Sequence, residues 1–386
     1  MITAEVATGR LRPAWAEIDL AAIRHNAAVL ADVSAPARLC AVVKAGGYGH
    51  GAVEVAGAAL DGGASWLAVA LVEEGLELRA AGITAPVLLL SQPAPAAMAE
   101  VVAASLTPTV YTPAGLDALG EAVGAGGAPN PVPVHVKVDT GMHRVGAEPA
   151  AAVALAAAVA ADPRLRLEGF WTHFAVSDEV DAPYTTEQLA GFDAAVAALA
   201  RHGVRSSLHH AANSAGAMWH PASRYDLVRC GIALYGLAPA ADGLDRPPVP
   251  QLRPALALKA RVSHVRELAA GERLSYGLRY QLQQDSVIAT VPLGYADGVT
   301  RALSSTGGEV LVGGQRCPIA GTVTMDQILV DCGPGSPVAV GDEVVLLGRQ
   351  GDQSITAWEW ATRTGTIAYE VVCGVSGRVP RLHVGG

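Results

Sequence analysis

The stretch AVVKAGGYGHG places Lys44 at the end of a run of apolar, β-forming residues. In a parallel barrel, side chains at the carboxyl ends of the strands line the active site. A lysine amine at such a place can act as a nucleophile toward a carbonyl group, and the glycines that follow would loosen the loop. A lysine can also end a strand simply to reach water, so the position alone leaves both interpretations open.

Other reactive side chains occur in short motifs, and each has an ordinary structural explanation. His173 could be a core histidine, and Met325 could fill a core. Asn213 and Ser214 could cap a helix. Four tyrosines could be packing aromatics with a polar tip, namely Tyr48, Tyr276, Tyr295 and Tyr369.

The elements that would position these residues follow a regular sequence pattern up to about residue 240. Short apolar runs alternate with Ala-rich helical stretches, which predicts an N-terminal (β/α)8 barrel over residues 16–240. An open, doubly wound sheet is the competing pattern, but the count of eight strands favours the barrel. The predicted strands are 41–44, 66–70, 87–91, 107–111, 134–139, 168–174, 206–211 and 228–233.

The alternation of strands and helices ends after residue 240. The segment ADGLDRPPVPQLRP has the composition of a linker, and the runs after it are β-rich and separated by Gly and Pro. These features predict a smaller, mostly β domain over residues 241–386. Residues 1–15 could form a strand that joins this C-terminal domain.

Composition and charge exclude several classes of protein. The net charge is −9 and no basic stripe is visible, which argues against nucleic-acid binding. Five widely separated cysteines predict neither a disulfide framework nor a zinc site, and the adjacent His209 and His210 lack a carboxylate cluster, so no metal is expected. The chain shows no signal peptide and no stretch long enough to span a membrane, so we expect a cytoplasmic protein.

Taken together, the motifs resemble those of the alanine racemase family, enzymes that use pyridoxal 5′-phosphate. The resemblance extends over nearly the whole chain, with each motif in the family's order. One departure lies in the lysine motif, where Gly46 replaces the usual Asp. The matching stretches are AVVKAGGYGHG, HVKVDTGMHRVG, WTHFAVSDE, HHAANSAG, RCGIALYG, SYG, PLGYADG, TVTMDQ and YEVVCGVSGRVPR.

The resemblance implies a role for each motif. Lys44 would hold the cofactor and act as one catalytic base, and Tyr276 would be the second. Lys137 would be carbamylated and would orient Arg144. The cofactor-binding residues implied are Lys44, Tyr48, Arg144, His173, Asn213, Ser214, Arg229, Gly231, Ile232 and Tyr369. The substrate-binding residues implied are Arg144, Tyr295, Met325 and Asp326.

Arg229 carries the clearest chemical information, because the resemblance places it at the pyridine nitrogen of the cofactor. An arginine is always charged and can only donate, so it disfavours protonation of that nitrogen. The cofactor then withdraws electrons less strongly, which favours racemisation over transamination. By the same resemblance, His173 orients Tyr276, and Tyr276 reaches the site of a partner subunit, so a homodimer with composite sites is implied.

Several alternatives differ from alanine racemisation. A broad-specificity or serine-preferring racemase would share the fold, since Tyr295 and Met325 set the pocket size. A basic-amino-acid decarboxylase would lack the Tyr276 motif and would place a carboxylate where this chain has Arg229. A non-enzymatic carrier of pyridoxal phosphate would lack the second domain.

Overall fold

The computed structural model describes residues 11–125, 131–241 and 251–386, and it divides into two compact units. Ala21–Arg253 form one, here called the barrel unit; Pro254–Gly386 and the start of the chain up to Leu20 form the other, the β unit. The first strand, β1 (Ala14–Asp19), lies in the β unit. Residues 1–10 of the predicted N-terminal strand, and residues 242–250 of the predicted linker, lie outside the described residues.

The barrel unit contains eight parallel strands that follow one another around a ring. Strands β4-β3-β2-β9 and β5-β6-β7-β8 form two hydrogen-bonded sets. A parallel bridge between Leu88 and Thr107 joins β4 to β5, and the Asp226 amide donates to the His209 carbonyl at 3.0 Å between β8 and β9. The strands are β2 (Arg38–Val42), β3 (Trp66–Val69), β4 (Val87–Leu89), β5 (Thr109–Val110), β6 (Val132–Lys137), β7 (Leu165–Trp171), β8 (Leu208–His210) and β9 (Leu227–Cys230). The predicted barrel is confirmed.

Helices separate these strands, and the strands themselves are buried on both faces. Strands β3 and β4 are buried at every residue, which explains their continuous apolar sequence. The α-helices are Leu20–Ser34, Ala52–Asp61, Val72–Ala80, Met98–Ala103, Pro113–Gly124, Pro149–Ala161, Tyr184–Arg201 and Ser214–Trp219. Short 3₁₀ turns occupy Pro95–Ala97, Pro221–Ser223 and Ile232–Tyr235. Among the described residues, no helix is long and apolar enough to cross a membrane.

The β unit is mostly β, as the sequence predicts. Its largest sheet has the order β16-β15-β18-β10-β1-β20, with β19 paired to β18. A three-stranded sheet β11-β14-β17 and the hairpin β12-β13 complete it. The strands are β10 (Leu256–Arg261), β11 (His264–Leu268), β12 (Arg273–Leu274), β13 (Tyr280–Gln281), β14 (Ser286–Val291), β15 (Glu309–Val312), β16 (Gln315–Pro318), β17 (Ile328–Asp331), β18 (Glu343–Gln350), β19 (Gln353–Ile355) and β20 (Arg381–Val384). Helices Ala357–Thr364 and Ala368–Cys373 and 3₁₀ turns Tyr276–Leu278, Tyr295–Asp297 and Arg301–Ser304 connect them.

Candidate active site

Lys44 follows β2 and begins a turn of left-handed backbone (Lys44–Tyr48). Ala45, Gly46 and Gly47 have φ values of 54°, 60° and 63°, and Tyr48 has a φ of 52°. Glycine adopts this conformation at little cost, whereas an ordinary residue loses about 1 kcal/mol or more. The two glycines therefore permit a defined turn rather than a loose loop. A side chain at Gly46 would meet no atom within 4 Å, so space does not explain the departure from Asp.

Glu74 holds this turn in place, and the sequence reasoning missed it. Its carboxylate accepts a hydrogen bond from the Ala45 amide at 2.5 Å. It also accepts from the amides of Ala70 and Leu71 at 2.8 and 3.0 Å, at the start of helix Val72–Ala80. Glu74 thereby links the backbone of Ala45, the residue after Lys44, to the end of the neighbouring strand β3. The available signal was a glutamate in the first turn of a helix that directly follows a strand.

Ser214 and Gly231 form a small polar cradle beside Tyr48. The Ser214 hydroxyl accepts from the amides of Gly231 and Ala233 at 3.0 and 3.3 Å. A Cβ atom on Gly231 would lie 2.3 Å from the Tyr48 hydroxyl, so only glycine fits there. Ile232 begins the short 3₁₀ turn that follows.

Asn213 is a helix cap in this structure. Its side-chain oxygen accepts from the Gly216 amide at 2.9 Å, at the start of helix Ser214–Trp219, and the Ser177 hydroxyl donates to the same oxygen at 2.9 Å. The ordinary structural explanation of Asn213 therefore applies. The cap also fixes the position of Ser214, the next residue.

Arg229 is 3% exposed and lies at the centre of a dense hydrogen-bond network. It donates to the carbonyls of Thr172 and Ala211 at 2.8 and 3.0 Å, and it contacts His210 Nδ1 at 2.7 Å and His173 Nδ1 at 3.1 Å. Burial lowers the pKa of Arg229 to about 10, which leaves it charged at neutral pH. Among the described residues, no carboxylate forms an ion pair with it, so its charge is available to an anionic or electron-rich ligand.

A row of buried imidazoles continues from Arg229 through the barrel. The His210 Nε2 and His135 Nδ1 atoms are 3.0 Å apart, and His135 Nε2 lies 3.4 Å from a Glu168 carboxylate oxygen. Burial, and then the charge of Arg229, hold the pKa of His210 well below its ordinary value. A neutral His210 accepts from Arg229 and donates to His135, so the row orients the guanidinium.

The sequence reasoning did not assign His135, His210 or Glu168 to the site. The alternation of strand residues offered one signal, because His135 and Lys137 are two apart in β6 and therefore point to the same side. The pairing of these residues across strands could not be obtained from spacing.

Three cations, Arg229, Arg144 and Lys44, concentrate positive charge around Lys137. Lys137 is 3% exposed, and its Nζ atom lies 4.6 Å from the centre of the Trp171 ring. Burial, followed by the charges of Arg229, Arg144 and Lys44, lowers the pKa of Lys137 to about 7. Such a cluster fits a ligand with several negative charges, as a phosphorylated pyridoxal has. No group of three potential metal ligands occurs among the described residues.

The remaining predicted residues lie in the β unit, and most of them are exposed. Tyr276, Met325 and Tyr295 are 74%, 51% and 44% exposed. The Thr322 hydroxyl donates to the Tyr276 carbonyl at 2.8 Å, and the Tyr295 amide donates to the Thr324 carbonyl at 2.9 Å, so one loop holds both tyrosines.

Two further predicted residues belong to the same unit. Arg378 pairs with Asp326 at 2.7 Å. Tyr369 is partly buried on helix Ala368–Cys373. The predicted residues therefore divide into two sets. In the barrel unit, Arg229 and Lys137 are buried, Lys44 is partly buried and Arg144 is exposed, whereas the set in the β unit is largely exposed.

Comparison with known proteins covers both units. Residues 18–239 match the family model of the alanine racemase N-terminal domain, and residues 255–383 match that of the C-terminal domain. The chain is 48% identical over 377 residues to the alanine racemase of Symbiobacterium thermophilum, covering 97% of this chain and 98% of that protein. It is 46% identical over 375 residues to the alanine racemase of Desulfovibrio desulfuricans, with coverages of 97% and 98%.

Solved structures agree with these relatives. The alanine racemase from D-cycloserine-producing Streptomyces lavendulae superimposes with a TM-score of 0.91 at 39% identity, covering 98% of each chain. The alanine racemase from E. faecalis gives 0.90 at 39% identity, covering 97% of this chain and 99% of that one. The resemblance found in the sequence motifs is thus confirmed, and the chain belongs to the alanine racemase family.

Proposed function

We propose that this protein interconverts L-alanine and D-alanine with pyridoxal 5′-phosphate, using Lys44 and Tyr276 as two bases. The observation that carries the proposal is Arg229, a buried cation that neutral His210 orients and that no described carboxylate pairs with. That arrangement suits a pyridine nitrogen that stays unprotonated. The presence of Arg229 argues against a transaminase or decarboxylase of the kind that places a carboxylate at the pyridine nitrogen.

The residues that would hold the cofactor come from both sets. Lys44 would bind its carbonyl carbon, Arg229 its ring nitrogen and Arg144 its phenolic oxygen. When bound, the cofactor draws electrons from the α-carbon of the substrate and so makes the α-hydrogen acidic. Its phosphate would be bound by the hydroxyls of Tyr48, Ser214 and Tyr369 and the amides of Gly231 and Ile232. Asn213 and His173 would be further cofactor-binding residues.

Two proton carriers on opposite faces of the α-carbon are required for racemisation. The amine of Lys44 takes or returns the proton on one face, and the hydroxyl of Tyr276 does so on the other. His173, whose pKa burial lowers well below its ordinary value, is neutral and can orient the tyrosine hydroxyl. Positioned acid–base groups of this kind contribute about 10²–10⁴-fold to the rate.

We infer a homodimer in which Tyr276 acts in the site of the partner subunit. The exposures of Tyr276 (74%) and Met325 (51%) support this arrangement, because large, exposed, partly apolar side chains suit an interface. Met325, Asp326 and Tyr295 would then contact the substrate and restrict its size, which favours alanine over serine. We also propose a cytoplasmic location, which is supported by the lack of a disulfide at any of the five cysteines, all of which lie in the described residues.

The test uses two variants that each lose one base. The purified protein with added pyridoxal phosphate should convert L-alanine to D-alanine, and both Lys44→Ala and Tyr276→Phe should lose at least about 100-fold in rate. Tyr276→Phe should keep the absorbance of bound cofactor. A protein that binds the cofactor but forms no D-alanine would refute alanine racemisation, and serine would be assayed next.

Mixing the two variants tests the composite site. In a dimer with one chain of each kind, one site carries both substitutions and the other is intact. Random exchange of subunits should therefore restore about a quarter of the wild-type rate. If each site used Lys44 and Tyr276 of the same chain, mixing would restore nothing.

A further inference from the structure

Two cysteines that are separated in sequence face each other in the β unit. Strands β16 and β17 continue into an antiparallel bridge between Ile319 and Val330. Two residues farther along each strand, this register sets Cys317 opposite Cys332. The two thiols are therefore neighbours across these strands, although they are distant in sequence.

The backbone around the pair favours a close approach of the two side chains. The Ala320 amide donates to the Leu329 carbonyl at 2.7 Å, so residues 320 and 329 form a hydrogen-bonded pair. Such pairs alternate along antiparallel strands, and positions 317 and 332 are therefore a non-hydrogen-bonded pair with Cα atoms about 4.5 Å apart. Disulfides span Cα separations of about 4.4–6.8 Å. The backbone need not move far for a bond to form.

The thiols already interact. Both are free, Cys317 is buried, and Cys332 is partly exposed. Each thiol donates a hydrogen bond to a backbone carbonyl at 3.9 Å, Cys317 to Gln315 and Cys332 to Val330. The proximity of the two thiols lowers the pKa of Cys317 and raises the pKa of Cys332. Burial and the charges of Asp331 and Glu309 oppose ionisation of Cys317, but the contact with Cys332 outweighs them, so the pKa of Cys317 is lowered overall.

The segment between the two cysteines is the loop that the proposed function uses. Residues 318–331 include Met325 and Asp326, and Thr322 in this loop accepts a hydrogen bond from the Ser275 hydroxyl at 2.7 Å and donates to the Tyr276 carbonyl at 2.8 Å. A covalent bond between Cys317 and Cys332 would close this loop at its base. We propose that Cys317 and Cys332 are an oxidation site at which a peroxide forms a reversible disulfide that restrains the substrate loop.

The reaction balances with peroxide as the oxidant. The Cys317 thiolate attacks one peroxide oxygen, so an S–O bond forms, the O–O bond breaks and hydroxide leaves. The Cys332 thiol then attacks the oxidised sulfur, an S–S bond forms, and the oxygen leaves as water. Two thiols and one hydrogen peroxide thus give one disulfide and two waters, and a small thiol reductant reverses the bond by exchange.

Peptide mapping of the cofactor-loaded protein tests the bond without any activity assay. Trypsin cuts after Arg316 and Arg349, so both cysteines lie in one peptide, residues 317–349. After dilute hydrogen peroxide, that peptide should weigh about 2 Da less and resist alkylation. Cyanogen bromide cleavage after Met325 should leave the two halves joined until a reductant separates them.

Controls make the result decisive. Cys317→Ser and Cys332→Ser should each abolish the joined fragments, and Cys373, which is exposed, reports that the oxidant has acted. Oxidised wild-type protein should also show slower amide exchange over residues 319–331. Two unmodified thiols in the peptide while Cys373 is oxidised would overturn the proposal, as would oxidation of either thiol to an acid without pairing. The loop's link to turnover rests on the proposed function, whereas detection of the bond does not.

Discussion

Lys137 is expected to bind carbon dioxide at neutral pH. Only a neutral amine attacks carbon dioxide, forming an N–C bond and releasing a proton to give a carbamate. Burial and the neighbouring Arg229, Arg144 and Lys44 lower the pKa of Lys137 from its ordinary value of 10.5 to about 7. The same cations that disfavour an ammonium group would attract the negative carbamate.

The size of the effect follows from that pKa. At pH 7.4 a group with a pKa of about 7 is about 70% neutral, whereas an ordinary lysine is only about 0.1% neutral. Lys137 therefore presents several hundred times more reactive amine than a surface lysine. The carbamate should form at bicarbonate concentrations that leave the other lysines of this chain unmodified.

The assay is carbon NMR of the protein in labelled bicarbonate at pH 7.5, with Lys137→Gln as the matched control. The wild type should give one carbamate carbonyl signal that the variant lacks, and the signal should fall as the pH is lowered through 7. Identical spectra from the two proteins would refute the reasoning. A signal that survives in Lys137→Gln would belong to another amine.

Two further predictions concern the same unit. Glu74→Ala should weaken cofactor binding about tenfold, because the Ala45 amide loses its acceptor, and Glu74→Gln should recover part of it. An equal loss in the exposed control Glu73→Ala, measured by cofactor titration, would contradict this. In carbon-dioxide-free protein without cofactor, the free energy of unfolding should rise between pH 7 and 10.5 by up to about 5 kcal/mol relative to Lys137→Gln. The sign follows because the unfolded chain, but not the folded one, holds the Lys137 proton in that range; parallel pH curves for the two proteins would disprove it.

The barrel was predictable because its signal is local. Strands buried on both faces need continuous apolar runs, and β3 and β4 have them at every position. The lysine turn was less predictable, since Ala45 carries no sequence sign of its positive φ. Its conformation depends on Glu74, which lies in another element.

Site residues that stand in a sequence motif could be predicted. Site residues that come together only through the pairing of strands could not. Lys44 and Arg229 stand in recognisable stretches. The contact between His210 and His135 links β8 to β6 over the intervening strand β7. It requires Gly169 on β7, because a Cβ atom there would lie 2.3 Å from the His135 ring. The sequence does not show that these three residues, which lie on three different strands, fit together.

The position of β1 affects how the chain folds during synthesis. In the β unit, β1 pairs with β10 on one side and with β20 on the other. A ribosome that adds 5–20 residues per second needs about 12–50 s to proceed from β1 to β10. The barrel residues emerge in that interval, so the two units mature in the reverse of the order in which their first strands are made. Until then the segment AWAEID has neither of its partner strands, so its backbone hydrogen-bonding groups are those of an unpaired edge.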